Sequence, residues 1–222
     1  IPFIRLVMVS GSLAMNNTKD RSDIDLLIVS KFGRIWTCRG LTTLFIHLIG
    51  QRRHSNLTKN RLCLNHYLTD QSLKIPCKSL YNSQTYAHLT PIWQNEFSLY
   101  KRFQRANLWL RSYLSSYPLA QKGYLRGIKT NKLLSFFRKM AELILDNRIG
   151  TALELLLKGF QERRIKKDPL TGQKDGRVIF NDRQLEFHPV SPEKFILERY
   201  NKKMRQLGLG ELGKEKDSGL FI

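Results

Sequence analysis

The stretch "VSGSLAMNNTKDRSDIDLLIVS", residues 9–30, decides how this chain is read. An apolar, branched run at 4–10 ends at Gly11-Ser12, and a second apolar run at 24–29 opens on Asp23 and Asp25. Both runs have the length and composition of strands. The second is apolar on both faces, as in a strand buried within a sheet. Residues 12–17 suit a short helix with Ser12 near its N-cap, and "TKDRS" a polar turn. So short a linker cannot make the crossover that a parallel pair needs. The second strand is therefore expected antiparallel to the first, returning the two aspartates to the Gly11-Ser12 end.

Alternation along a strand puts Asp23 and Asp25 on one face, followed there by Leu27 and Val29. Two neighbouring carboxylates repel, and both lose hydration on entering an apolar run. A divalent cation relieves both penalties. Mg²⁺ takes oxygen ligands, keeps several waters and shares its shell with phosphates. Gly11 lets a phosphate approach the backbone with no Cβ in the way, and Ser12 offers a hydroxyl and an N–H at a helix start. The expected site is therefore Asp23 and Asp25 as metal ligands and catalytic residues, with Gly11 and Ser12 binding the nucleotide phosphates.

"GS", ten residues and "DID", with apolar residues around the pair, resembles the signature of the nucleotidyltransferase superfamily typified by DNA polymerase β. The string "GSLAMNN…SDIDLLIV" is also similar to bacterial and archaeal minimal nucleotidyltransferase-domain proteins. The likeness covers residues 4–29 closely and a third strand loosely. It implies Mg²⁺, with Mn²⁺ as an alternative, in a two-metal site where a hydroxyl acceptor attacks the α-phosphorus of a nucleoside triphosphate and pyrophosphate leaves. The family's usual third carboxylate would fall in "LCLNHYL", whose centre is Asn65. An amide carries no charge and cannot act as a base. Asp70 lies at the strand's end, out of register. Alternation groups His66 with Leu62, Leu64 and Leu68, as a satisfied core histidine. A second reading is thus a nucleotidyltransferase-fold module that binds nucleotide or nucleic acid without chemistry, from which an antitoxin-like partner protein cannot be told apart.

The remaining sequence gives an α+β expectation: a mixed sheet with helices at 1–75, a helical region at 76–165, and a basic connector, hairpin and final helix at 166–222. Residues 34–49 read as a helix, "RLCLNHYLT" at 61–69 as the third strand, and residues 80–160 as helical, broken near Gly123 and Gly127. Trp93, Tyr100, Phe103 and Trp109 read as helical core rather than as base-stacking groups. "RVIFNDRQLEF" reads as a hairpin about Asn181-Asp182, with His188 exposed beyond it and without a role. "SPEKFILERYNKKMRQL" reads as a capped helix, and the last residues as frayed. Of the basic residues near the site, Lys31, Arg34, Arg52, Arg53, Lys59 and Arg61, none is singled out.

The 222 residues carry a formal charge of +20. That surplus favours polyanionic partners, RNA or DNA acceptors included. Three cysteines without a CxxC pair suit a reduced, cytoplasmic protein. No run is long enough to cross a bilayer, since the longest, "LTTLFIHLIG", is interrupted by His47. No secretory leader is visible, and a first residue other than Met suggests an upstream region.

Overall fold

The computed structural model describes residues 1–54, 57–118, 128, 130–173 and 176–212. The breaks expected near Gly123 and Gly127 and residues 213–222 of the end expected to fray, 208–222, lie outside the described residues, whereas Leu212 within that end is tied to Asn201 by hydrogen bonds of 2.9 and 3.0 Å. The fold is α+β, a mixed six-stranded sheet with helices on both faces. In chain order the strands are β1 (Ile4–Ser10), β2 (Ile24–Ser30), β3 (Leu62–Thr69), β4 (Thr90–Gln94), β5 (Arg177–Phe180) and β6 (Gln184–His188). The helices are α1 (Gly11–Ala14), α2 (Ile35–Leu48), α3 (Leu80–Ala87), α4 (Leu99–Ala106), α5 (Lys132–Leu145), α6 (Arg148–Lys167) and α7 (Glu193–Gln206).

The strands lie in the order β4-β1-β2-β3-β6-β5, so all three segments of the chain contribute to one sheet. β1 and β2 are antiparallel, with Ser10 opposite Asp25 as the short linker demands. β2 and β3 are parallel, and the chain between them contains α2. One strand departs from the sequence reading. β4 lies inside the stretch expected to be helical and pairs with β1 at the sheet edge. Its five residues include Pro91, which an edge strand tolerates. α1 also begins earlier than expected, at Gly11 with Ser10 as its cap.

Alternation in β1 and β2 feeds two cores. Leu6, Met8, Leu27 and Val29 meet Tyr86 of α3 and Phe103 of α4 on one face. Phe3, Ile4, Leu26 and Ile28 meet Ile35, Trp36 and Ile165 of α2 and α6 on the other. Tyr100 and Phe103 are core, as expected, and Trp109 packs against them, whereas Trp93 sits in β4.

Two polar contacts fix the helices on the sheet. Buried Glu154 of α6 accepts from the Trp36 and Thr37 N–H groups at 2.9 and 2.8 Å. These are orphan donors in the first turn of α2, which has no side-chain cap of its own. Glu142 of α5 accepts from both terminal guanidinium nitrogens of Arg5 at 2.9 and 3.1 Å, from Phe3 N at 2.8 Å and from Arg138 at 2.9 Å. These donors hold its carboxyl below the usual range although burial opposes them. α5 buries no residue fully and leaves Leu134, Phe136, Phe137 and Leu143 exposed. No helix among the described residues is long and apolar enough to cross a membrane.

Candidate functional site

β2 delivers Asp23 and Asp25 beside the bend after β1. One ligand atom from each, together with Cys63 Sγ, lies within 4.8 Å of the others. This group could hold a metal ion. The convergence needs a residue with no side chain at position 11. Gly11 has φ +65°, and a Cβ there would stand 2.3 Å from Asp25 Oδ2. The glycine therefore makes room for the protein's own carboxylate.

The two aspartates, Ser10 and Gly11 line a cavity of about 200 Å³ with Arg53, Asn65, His66, Tyr81, Tyr86 and His188. Ser12 is half-buried in the adjoining turn and is not among the lining residues. Of the six basic residues near the motif, Arg53 reaches the cavity. Its Nη1 donates to Asp23 Oδ2 at 2.8 Å and lies 3.5 Å from Cys63 Sγ. Lys31 instead pairs with Asp146, and Arg34 donates to Thr151 Oγ1 at 3.2 Å.

Charge in the cavity is unbalanced. Burial, then repulsion from Asp23, raises the Asp25 pKa, with Cys63, His188 and Arg53 pulling the other way. Burial and the Asp25 charge push the Cys63 thiol up to about 12, so it stays protonated at neutral pH. The oxygen pair is thus the harder and more available half of the ligand group.

The β2–β3 register contains an irregularity that alternation does not foresee. Asp25 faces Cys63, yet Leu27 faces His66, so β3 carries one extra residue in this interval. Such a bulge re-aims side chains. Cys63, Asn65 and His66 consequently all lie at the site side of β3, whereas Leu62 and Leu64 pack on the opposite core. The grouping of His66 with Leu62 and Leu64 is therefore corrected.

Asn65 occupies the position where a third carboxylate was sought, and its amide acts as a bridge. Nδ2 donates to Asp25 Oδ1 at 3.2 Å and lies 3.3 Å from His188 Nε2. His188, expected to be exposed, is half-buried in the cavity wall. Its Nδ1 faces Glu186 Oε1 at 3.0 Å, which makes Nδ1 the donor to that carboxylate. Glu186 is fully buried and also accepts from Arg177 Nε at 2.7 Å and Gln184 Nε2 at 2.8 Å. Burial alone would raise its pKa. The charge and donors of His66, His188 and Arg177 outweigh that and hold the carboxyl well below its usual range. His66 meets the core-histidine expectation: it is 3% exposed and 3.2 Å from Tyr86 Oη. Burial drives its pKa down to about 4. Asp70, at the far end of β3, accepts from Phe32 N at 3.0 Å and is no part of this cavity.

Comparison with protein-family models, with curated proteins and with solved structures yields no match. The chemistry of the site therefore rests on its own residues.

Those residues form one polar chain, Arg177–Glu186–His188–Asn65–Asp25, ending at a pair of carboxylates. It combines a candidate cation site, a carboxylate-oriented imidazole and a bend against which the Asp25 carboxylate packs. Glu186 and His188 lie more than 160 residues from the motif and carry no local signature. Their two-residue spacing on a strand is the one available sign that they share a face.

Proposed function

We propose that the chain is a Mg²⁺-dependent nucleotidyltransferase moving a nucleoside monophosphate from a nucleoside triphosphate to a hydroxyl acceptor. The observation that carries this reading is the convergence of Asp23 and Asp25 within 4.8 Å, at a cavity whose wall includes the Ser10-Gly11 bend. The residues fit a hard cation: two carboxylates face one gap, and the neighbouring thiol is protonated. Mg²⁺ held by Asp23 and Asp25, with Mn²⁺ as an alternative, would neutralise charge on the triphosphate and on the leaving pyrophosphate.

The protein's own groups supply the remainder. The Ser10-Gly11 bend in the cavity wall offers backbone donors to the phosphates, with the Ser12 turn adjoining it. His188 Nε2 exchanges the Asn65 amide for the acceptor hydroxyl and takes its proton as that oxygen bonds to the α-phosphorus and the bond to pyrophosphate breaks. Glu186 fixes the imidazole tautomer and stabilises the imidazolium that results, as a buried carboxylate does for a general base. The +20 charge favours an RNA or DNA acceptor. Three cysteines with no CxxC pair among them suit a cytoplasmic setting.

Incubation with each labelled triphosphate, Mg²⁺, and RNA, DNA or small hydroxyl acceptors tests the reading. Transfer that is abolished by Asp25→Asn supports it. Absence of transfer to every acceptor, or transfer indifferent to that change, rejects it.

One observation favours a second reading. Asn65 stands in place of a third acid and donates to Asp25, leaving a cavity suited to holding a ligand without turnover. This binding module would retain nucleic acid with a steep salt dependence that survives Asp23→Asn. Measured turnover excludes it.

A further inference from the structure

A larger chamber, of about 560 Å³, lies on the opposite face of the sheet, among α2, α6 and the β5–β6 hairpin. That volume falls in the range of small-molecule sites. Its walls are largely apolar, including Leu41, Leu44, Leu157, Phe160, Val178 and Phe187. The charges facing it are one-sided. Arg39 comes from α2, Arg52 from the chain after it and Arg164 from α6, against the single carboxylate of Asp168. Asp168 is engaged locally, accepting from Leu170 N at 2.9 Å.

Arg39 is the telling residue. Its Nη1 donates to Gln161 Oε1 at 2.5 Å, and its guanidinium lies over the Phe187 ring at 4.5 Å. Its Nε is buried with no hydrogen-bond partner among the described residues. Burial lowers its pKa, and Arg52 and Arg164 push the same way, with no carboxylate among the opposing influences. A guanidinium partly withdrawn from water without a counter-charge is unfavourable, and an oriented anion relieves that state.

We propose that this chamber binds a small organic anion, whose apolar ring or chain packs against Leu41, Leu157 and Phe160 while its carboxylate or phosphate head meets Arg39, Arg52 and Arg164. The proposal is independent of the transferase reading, since no residue is shared between the two cavities.

Titration calorimetry on the full chain, in buffer containing EDTA, tests it with four probes: octanoate, AMP, octanol and inorganic phosphate. Octanoate or AMP should bind one per chain, at least tenfold tighter than octanol or phosphate, and the preference between them identifies head and body. Arg39→Gln should weaken binding at least tenfold. Should that variant fail to fold, Arg52→Gln/Arg164→Gln, at half-exposed and exposed positions, should weaken it at least threefold. Asp25→Asn should leave it unchanged. The proposal is overturned if neither anion binds at millimolar concentration or if octanol matches octanoate and phosphate matches AMP. Wild-type affinity in the arginine variants, or loss of binding in Asp25→Asn, overturns it equally.

Discussion

The Asp25 carboxylate occupies the space that a side chain at residue 11 would need, with Oδ2 2.3 Å from an ideal Cβ on Gly11. The glycine also holds φ +65°, where an L side chain is itself strained by about 1–2 kcal/mol. Gly11→Ala should therefore destabilise the fold by roughly 2–3 kcal/mol in urea denaturation. In an Asp25→Ala background the same change should cost about 1 kcal/mol, because only the backbone strain remains. Equal effects in the two backgrounds would show that the contact carries no energy.

A cation shared by Asp23 and Asp25 stabilises the folded chain by mass action. At tenfold excess over its dissociation constant, Mg²⁺ should add about 1.4 kcal/mol, a rise in Tm of about 3–5 °C for a chain of this size. Asp25→Asn should abolish the rise. It should also raise the metal-free Tm, because burial and Asp23 both disfavour the Asp25 charge. A metal-free Tm below wild type would contradict that electrostatic account.

Acidification should weaken the fold through His66. Tyr86 of α3 faces its ring, as do Gln184, Glu186 and His188 of β6, with Arg177 of β5 beyond Glu186. The folded imidazole titrates near 4 against an ordinary value of 6.5. Between those values the unfolded chain takes up a proton that the folded chain refuses, so stability falls as pH drops from 6.5 towards 4. Roughly 2 kcal/mol should be lost by pH 4.5. Glu186, held below its usual range, adds a loss of the same sign at still lower pH. Denaturation midpoints against pH read this directly, and His66→Gln should flatten the slope above pH 5.

Glu154 acts as a cap supplied by another helix. Glu154→Ala strips the acceptors from Trp36 N and Thr37 N and should destabilise the chain by about 1–3 kcal/mol. Glu154→Gln keeps one strong acceptor and should lose less. Amide exchange at Trp36 and Thr37 should speed up most in the alanine variant.

The elements that carried strong local signals were legible. The apolar runs of β1, β2 and β3 and the hairpin of β5 and β6 match the sequence reading closely, whereas α6 runs on to Lys167, past the helical stretch expected to end at residue 160. The antiparallel β1–β2 pair followed from linker length alone. β4 escaped because five residues containing a proline show no clean alternation, and their strand state comes from pairing with β1. The β3 bulge escaped because an inserted residue leaves no mark in composition. Asp23 and Asp25 could be named from their spacing. Arg53, Cys63, Glu186 and His188 could not, because they reach the cavity only through tertiary contacts.

β6 turns His188 towards one cavity and Phe187 towards the other, and Arg53 and Arg52 divide in the same way. The sheet thus stands between two chambers, and at two points in the chain neighbouring residues line different ones. Linkage then imposes reciprocity: whatever factor an occupant on one side exerts on affinity across the wall is returned unchanged in the reverse direction. Evolution could alter that exchange by editing residues of the partition while leaving both sets of ligand contacts intact.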